Sequence, residues 1–479
     1  MARSTPPVEV HLVLEDTDAP LRHRVADAVV GALRAGRLRP GDLLPSTRSL
    51  ANALGISRGP VVAAYDELTA AGYVVSRAGS GARVAPAADV AARAGAATHV
   101  REDVPDAGTP APAPPDRPTF DLRPGRPDTS LVDRAAWRRA WRTVGATVPG
   151  DDAGEVPRHA RLRLALADHL RRSRGLAVDA DDIVVVPGVG ASLRALPEAF
   201  GLRGRTVALE DPGYVEAWTA FAAEGVRTAA VPVDTDGIDP ADIPPGTAAA
   251  YVTPSHQYPL GARMPVARRA ALLEWARADG ALVVEDDYDG EFRYDVSPLP
   301  PLHSLPGAAE QVVYVGTASK ILAPSLRVAW IVPPRRLRDA LRSAVESRSL
   351  VVNEQTGLAL ADFIESGALA THHARVSRTY AGRRAALVAA VGRHLPGATL
   401  EGVDAGLHVV LRLPDDVDDH EAASRCHRRG VAVSPLSAYA AEATVRGLVL
   451  CYAGLPESRA DEAVRALANA VRWSVPVPG

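Results

Sequence analysis

The sequence predicts a two-part α/β protein: a small winged helix-turn-helix module, then a large domain with a mostly parallel sheet covered by helices on both faces. Three observations carry this. Strand-like apolar runs such as Ile183–Val186, Ala281–Val284 and Val312–Val315 alternate with Ala/Leu/Arg-rich helical stretches such as Pro265–Asp279. That alternation is expected of parallel strands joined by crossover helices. Ahead of it lies a compact set of three helical patterns and a hairpin signal, and between the two a stretch rich in Ala, Pro, Asp and Gly ends in APAPPDRP. Such a stretch reads as an extended linker. We therefore divide the chain into residues 10–85, a linker at 86–118, and a large domain at 119–479. A chain of 479 residues is in any case too long for one ordinary core.

Composition excludes several classes. At 47% apolar and 23% charged residues the chain is an ordinary globular protein, and a net charge of −3 gives no overall bias toward nucleic acid. The charge is unevenly spread, however: Pro20–Ala85 holds nine Arg against four acidic residues, a net of +5. Two cysteines, Cys426 and Cys451, cannot build a disulfide framework. No apolar run approaches the roughly 18 residues of a membrane span, and MARSTPPVEV lacks the apolar core of a signal peptide. A cytoplasmic protein without a membrane partner is expected.

In the small module, Leu21–Leu38 is amphipathic and runs into the turn Arg39-Pro40-Gly41-Asp42. A second helix follows, with Ser46 or Thr47 as N-cap and Gly55 at its C-terminal stop. Ser57 opens a third, whose Pro60 falls in the first turn and whose buried stripe is Val61, Tyr65 and Leu68. Tyr73–Arg77 and Gly81–Val84 can then pair as a hairpin. Three helices and a hairpin form the winged helix-turn-helix plan. Hydroxyls such as Ser46 and Ser57 hold phosphates, while Arg48, Arg58 and Arg77 supply charge or read base edges. The stretches Gly36–Gly41, Leu44–Ala51, Gly55–Arg58, Gly72–Val74 and Gly79–Gly81 closely resemble the GntR family of transcription factors. By that resemblance Arg48, Ser57, Arg58, Arg77 and Gly79 contact a double-stranded DNA operator. Gly59-Pro60 departs from the polar residues the family often carries there.

In the large domain one residue stands out. Of 54 basic residues, Lys320 is the only lysine. Where a plain positive charge suffices the chain uses Arg, so this lysine suggests chemistry a guanidinium cannot supply, such as a Schiff base with an aldehyde. An aldehyde cofactor with a phosphate and a pyridine ring would need a helix-start cradle, hydroxyls, an Arg, a carboxylate for the ring nitrogen and an aromatic neighbour. Each is present. Gly188-Val189-Gly190 follows a strand and opens a helix, Tyr214 sits on a turn after Glu210-Asp211-Pro212-Gly213, and the strand Ala281–Val284 runs into Glu285-Asp286-Asp287-Tyr288-Asp289. Four carboxylates in five residues repel one another, so some are expected to face solvent or a cation. Thr317, Ser319 and Arg327 flank the lysine and are candidate phosphate ligands.

This set, over Phe120–Trp473, resembles the fold-type I pyridoxal-phosphate enzymes of the aspartate aminotransferase-like superfamily. The resemblance implies pyridoxal 5′-phosphate as cofactor, Lys320 as its Schiff-base lysine, Asp286 against the ring nitrogen, Tyr288 at the ring hydroxyl and Tyr214 stacked on the ring. Thr317, Ser319 and Arg327 would bind the phosphate. With the winged helix, the whole chain resembles the MocR/GabR group of regulators, matched by Pro254–Gly261, Glu285–Tyr294 and Gly316–Pro324. In that group the protomers form a head-to-tail homodimer. The chain departs from true aminotransferases in two places, Tyr258 where an Asn contacts the ring oxygen and Val449 where an Arg clamps the substrate carboxylate, and from a GABA-sensing relative at Glu216, where that relative has a second Arg. An apolar Val and an anionic Glu disfavour a carboxylate.

Three functional readings follow. The first is a regulator, not an enzyme, whose aminotransferase-like domain senses a small-molecule effector; the missing arginines point to pyridoxal phosphate itself over an amine or amino acid. The second is a working aminotransferase with a DNA-binding appendage. The third is a DNA-binding protein with an inert structural domain.

Overall fold

The computed structural model describes residues 12–77, 81–97, 118–146, 159–294 and 299–471. They fall into two compact units, divided after Pro115.

In the first unit, helices Leu21–Arg34, Thr47–Leu54 and Arg58–Ala70 precede an antiparallel hairpin of Val74–Arg77 and Gly81–Val84. The first helix is shorter than its apolar pattern suggests, because Gly36 takes a left-handed φ of 69° and turns the chain. Ser46 caps the second helix, its hydroxyl accepting from the Ser49 N–H, and left-handed Gly55 ends it. Val61, Tyr65 and Leu68 are buried as the pattern requires, and the Tyr65 hydroxyl donates to the Pro45 carbonyl at 2.9 Å, locking the third helix to the entry of the second.

The expected linker needs correction. Its first part, Ala88–Ala97, is an α-helix packed on the first helix of the module. Ala88 and Ala92 are buried in the same core as Val25 and Leu33, and the Arg34 Nε donates to the Ala92 carbonyl. An Ala-rich stretch has high helix propensity, and two alanines four apart suffice to seat one turn against a neighbour. Of the remaining linker, residues 98–117 lie outside the described residues.

The second unit is built on an eight-stranded sheet. Its order is Val184–Val186, Ala329–Val332, Val312–Thr317, Leu282–Asp286, Thr247–Val252, Thr206–Asp211, Arg227–Asp234 and Gly237–Ile238. The five strands from Val312–Thr317 to Arg227–Asp234 are mutually parallel, and Ala329–Val332 runs against both its neighbours. Apart from the more exposed Arg227–Asp234, these strands are buried on both faces, which is why they read as unbroken apolar runs rather than alternating ones. Separate apolar cores lie about Leu166, Trp330 and Phe363, about Leu196, Leu209 and Phe221, and about Val252, Leu272 and Val312. A smaller antiparallel sheet (Leu400–Glu401, His408–Arg412, Gly447–Cys451, Ser434–Pro435) packs with helices Ala368–His394, Asp419–Arg428 and Ala460–Val471 around a fourth core. Among the described residues no helix is long and apolar enough to cross a membrane.

Candidate functional site

The parallel strands gather the predicted residues at one edge of the large sheet. Gly188 follows Val184–Val186, Tyr214 follows Thr206–Asp211, and Tyr258 follows Thr247–Val252. Asp286 ends Leu282–Asp286, with Tyr288 two residues on. Thr317 ends Val312–Thr317, and Arg327 immediately precedes the antiparallel strand, so it returns to the same edge. The carboxyl edge of such a sheet is where α/β domains bind ligands.

Lys320 sits in the four-residue helix Ala318–Ile321, its Nζ donating at 3.0 Å to the carbonyl of Gly125. Gly125 has φ 90°, a backbone conformation that favours glycine, and a Cβ there would crowd Nζ at 3.1 Å. Burial pushes the Lys320 amine below its ordinary pKa, against the pull of Asp289 and Asp286. A lysine that sheds its proton more readily is a better nucleophile.

The four carboxylates do not face solvent. Glu285, Asp286, Asp287 and Asp289 are all buried, and each has its own arrangement. Glu285 accepts from the backbone N–H groups of Leu302 and His303, and burial pushes it up to about 7. Asp287 is gripped by Arg174 at 2.6 and 2.8 Å and receives the Tyr314 hydroxyl at 2.8 Å. Asp289 pairs with His256 at 2.9 Å. Asp286 accepts the hydroxyl of Tyr251 on Oδ2, while its Oδ1 is buried without a partner. Burial raises Asp286 to about 7, with the Tyr251 hydrogen bond opposing. An orphaned, buried carboxylate oxygen at this edge is what a protonated ring nitrogen would complete.

At the other end, Gly188 (φ 97°) caps the helix Val189–Ala199. A Cβ on Gly188 would stand 3.2 Å from Cζ and Nη2 of Arg327, so glycine brings the guanidinium against the helix start. Arg327 itself holds a left-handed φ of 51°. Helix N–H groups, Val189 and Gly190 among their residues, thus converge with an exposed cation, an arrangement suited to an anion. Thr317 spends its hydroxyl locally: it accepts from the Ser319 N–H at 3.1 Å and donates to the Val328 carbonyl at 3.4 Å. Tyr258 lies between the aromatic groups, edge-on to Tyr214 at 6.1 Å, to Tyr288 at 5.7 Å and to Tyr439 at 5.4 Å.

Val449 is fully buried in an apolar cluster with Leu260, Val410 and Leu436. Glu216 is exposed at the first turn of the helix after Tyr214.

In the first unit Ser46, Arg48, Ser57 and Arg58 are all exposed around the starts of two adjacent helices. Ser57 occupies the N-cap position but its hydroxyl makes no capping bond. Arg58 donates to Thr47 Oγ1 at 3.0 Å, tying the two helix starts together. Gly79 and the Arg77 side chain lie outside the described residues.

Comparisons with known proteins agree with both halves. Residues 21–84 match the family of bacterial regulatory proteins of the gntR type, and residues 128–467 match aminotransferase class I and II. The chain belongs to the MocR-type regulators. The pyridoxine biosynthesis regulator PdxR of Corynebacterium glutamicum is 37% identical over 84% of this chain and 85% of its own. A probable rhizopine catabolism regulatory protein, MocR, of Rhizobium meliloti is 34% identical over 96% of this chain and 95% of its own. Among solved structures, an archaeal alanine:glyoxylate aminotransferase superimposes with a TM-score of 0.69 at 25% identity, covering 74% of this chain and 90% of that one. This MocR-type chain is accordingly a DNA-binding transcriptional regulator whose aminotransferase fold takes pyridoxal 5′-phosphate.

Four residues escaped sequence reasoning: Gly125, Tyr251, His256 and Arg174. Tyr251 sits inside an apolar strand and reads as core packing. Arg174 is one of several arginines in a helix. Gly125, in Arg-Pro-Gly-Arg-Pro, signals only a turn.

Proposed function

We propose that this regulator senses pyridoxal phosphate itself, and that loading of the large domain changes its grip on an operator. In this reading Lys320 holds the cofactor aldehyde, Asp286 Oδ1 takes the ring nitrogen, Tyr288 and Tyr258 meet the ring oxygen side, and Tyr214 covers a face. Gly188, Val189, Gly190, Thr317, Ser319 and Arg327 hold the phosphate. When bound, the cofactor supplies an electron sink for amine chemistry. The observation that carries the reading is Val449: its fully buried place in an apolar cluster supplies no cation for a substrate carboxylate. Glu216 adds negative charge felt at Lys320.

The small unit would hold DNA through Ser46, Arg48, Ser57 and Arg58 with the wing residues Arg77 and Gly79, in the cytoplasm, as part of a head-to-tail homodimer. Differential affinity of the two DNA-binding states for the cofactor is then the whole of the switch. Titrating the cofactor-free protein with pyridoxal phosphate while measuring operator affinity tests this; an affinity that does not move with loading would overturn it. A second reading, residual amine chemistry, is favoured by the lowered Lys320 and the orphaned Asp286 oxygen. Incubating the loaded protein with a panel of amines and amino acids and following loss of the visible chromophore tests that.

A further inference from the structure

Behind Tyr288 lies a buried pair that the proposed chemistry leaves unused. The Nδ1 of His256 stands 2.9 Å from the Tyr288 hydroxyl and 2.9 Å from Asp289 Oδ2. Both members of the His256–Asp289 pair are 1% exposed at the side chain. The fold makes deliberate room for them. Gly406, at φ 71°, has no space for a Cβ, which would run into the His256 ring and Asp289 Oδ2. A Cβ on Gly261, at φ 76°, would crowd His256 Nε2 and the backbone of Gly402. His408 packs on the His256 ring with centroids 5.1 Å apart and spends its own Nε2 on the Pro259 carbonyl.

Proton counting decides how the three groups share hydrogens. If Nδ1 carried a lone pair, it would face the Asp289 carboxylate as acceptor against acceptor, and the N–H on Nε2 would be buried without a partner. With the proton on Nδ1, the N–H points at Asp289 and is shared with the Tyr288 oxygen, and only acceptors are left unmet, the Nε2 lone pair and Asp289 Oδ1. The second arrangement costs less. It also means that Nδ1 cannot accept the Tyr288 proton.

We propose that the His256–Asp289 pair is a positioning device for Tyr288, holding the imidazole in its Nδ1–H form so that the tyrosine hydroxyl donates outward to a ring oxygen held at Lys320. This rests on the cofactor reading given above. Burial and the Asp289 carboxylate keep the Tyr288 proton in place, so the hydroxyl is a neutral donor. The other charged or titratable groups around the device are Tyr258, His408, Asp286 and Lys320, with Arg263 and Arg293 beside it and Tyr294 and Tyr452 facing Asp289.

A donor on the ring oxygen draws charge from the lysine-bound chromophore and lowers the pH at which its nitrogen titrates. The test is a pH titration of the visible spectrum of the full-length protein loaded with pyridoxal phosphate. His256→Ala removes the ring and is expected to raise that pKa by about one unit or more, the size of one lost charge-assisted hydrogen bond. Asp289→Asn frees the tautomer but also removes a carboxylate that raises the Lys320 amine, so its shift should be smaller. Tyr288→Phe should raise it as much as His256→Ala. His256→Asn, whose amide N–H can replace Nδ1–H toward Asp289, should stay near the parent value. A Tyr288→Phe shift without a His256→Ala shift overturns the device and leaves the cofactor reading standing. Absence of any lysine-dependent chromophore in the parent protein overturns both. Circular dichroism and operator binding of each variant separate a moved proton from a lost fold: if the alanine variant is unfolded, His256→Phe, which keeps a ring but no N–H, against His256→Asn decides.

Discussion

Replacing Arg174 by methionine is expected to destabilise the large domain far more than replacing an exposed arginine, and the structure sets the size of the gap. Arg174 ends the helix Ala160–Arg174. Its Nε and Nη2 reach the two oxygens of Asp287 at 2.6 and 2.8 Å, its Nη1 donates to the Gly290 carbonyl at 2.7 Å, and its Nη2 also reaches Ser255 Oγ at 3.1 Å. Both ion-pair side chains are 1% exposed. Burial opposes the Arg174 charge, but Asp287 outweighs it and the guanidinium is held more firmly protonated than usual. Arg174→Met strands the Asp287 carboxylate with the Tyr314 hydroxyl alone and strips the Gly290 carbonyl. Breaking a buried pair from one side costs about 3–5 kcal/mol. Arg161 makes a comparable pair with Glu365, 2.6 Å apart but 41% and 40% exposed, where Arg161→Met should cost no more than about 1 kcal/mol. Urea unfolding of the large domain, followed by tryptophan fluorescence, measures both. The double variant Arg174→Met/Asp287→Leu should recover much of the loss, because no buried charge is then left unpaired. Equal losses for Arg174→Met and Arg161→Met, within about 1 kcal/mol, would refute the assignment of Arg174 as the counter-charge of this loop.

Other outcomes follow from the same geometry. Lys320→Ala should abolish the visible absorbance on adding pyridoxal phosphate and make operator affinity indifferent to it, as read by spectrophotometry and DNA-binding titration. Arg48→Ala and Arg58→Ala should each reduce the slope of log affinity against log salt by about 1, if each side chain neutralises one phosphate. Gly406→Ala, which forces a Cβ into His256 and Asp289 at a left-handed φ, should cost about 2–4 kcal/mol in urea unfolding. The buried pair His169–Glu291, 2.9 Å apart, gives a pH signature. Burial alone would raise Glu291, but His169 overcomes it and holds the carboxyl down at about 2, while His169 is raised above 6.5. The depressed carboxylate contributes stability above its ordinary 4.5 that fades as pH falls toward 2. The raised imidazole contributes stability below 6.5 that fades as pH rises through its folded value. The stability difference between parent and His169→Gln should therefore peak between these limits; a pH-independent difference would count against the pair.

The fold was legible because its signals are periodic and repeated. Val184–Val186, Leu282–Asp286 and Val312–Thr317 are short apolar strands flanked by helical patterns, and no other element type uses such residues so briefly. The helix Ala88–Ala97 was missed for the opposite reason. Alanine and proline are both common in linkers, and only burial of Ala88 and Ala92 against the preceding module turns the stretch into structure. The run Glu285–Asp289 shows how far local charge can mislead. Read alone, it demands solvent. In the fold, each carboxylate lands on different partners, brought from backbone at 302–303, from Tyr251, from Arg174 and from His256. Three of those four partners lie over 30 positions away in sequence, where no spacing rule reaches.

The rarity of lysine made Lys320 visible, but the fixed charges around it say more about what the site can favour. The exposed guanidinium of Arg327 stands at the Gly188 helix start, so one end of the pocket welcomes an anion. Val449, fully buried among Leu260, Val410 and Leu436, offers no cation, and the Glu216 carboxylate adds negative potential felt at Lys320. A ligand with a phosphate at one end and an aldehyde at the other satisfies this polarity unaided. On the proposed reading, an amino acid arriving on a preloaded cofactor would bring a carboxylate that neither Val449 nor Glu216 can pair, at a cost of about 1–3 kcal/mol for the unmet hydrogen bonds alone. On that reading these fixed charges would favour the cofactor over an amino-acid substrate without any change at the lysine itself.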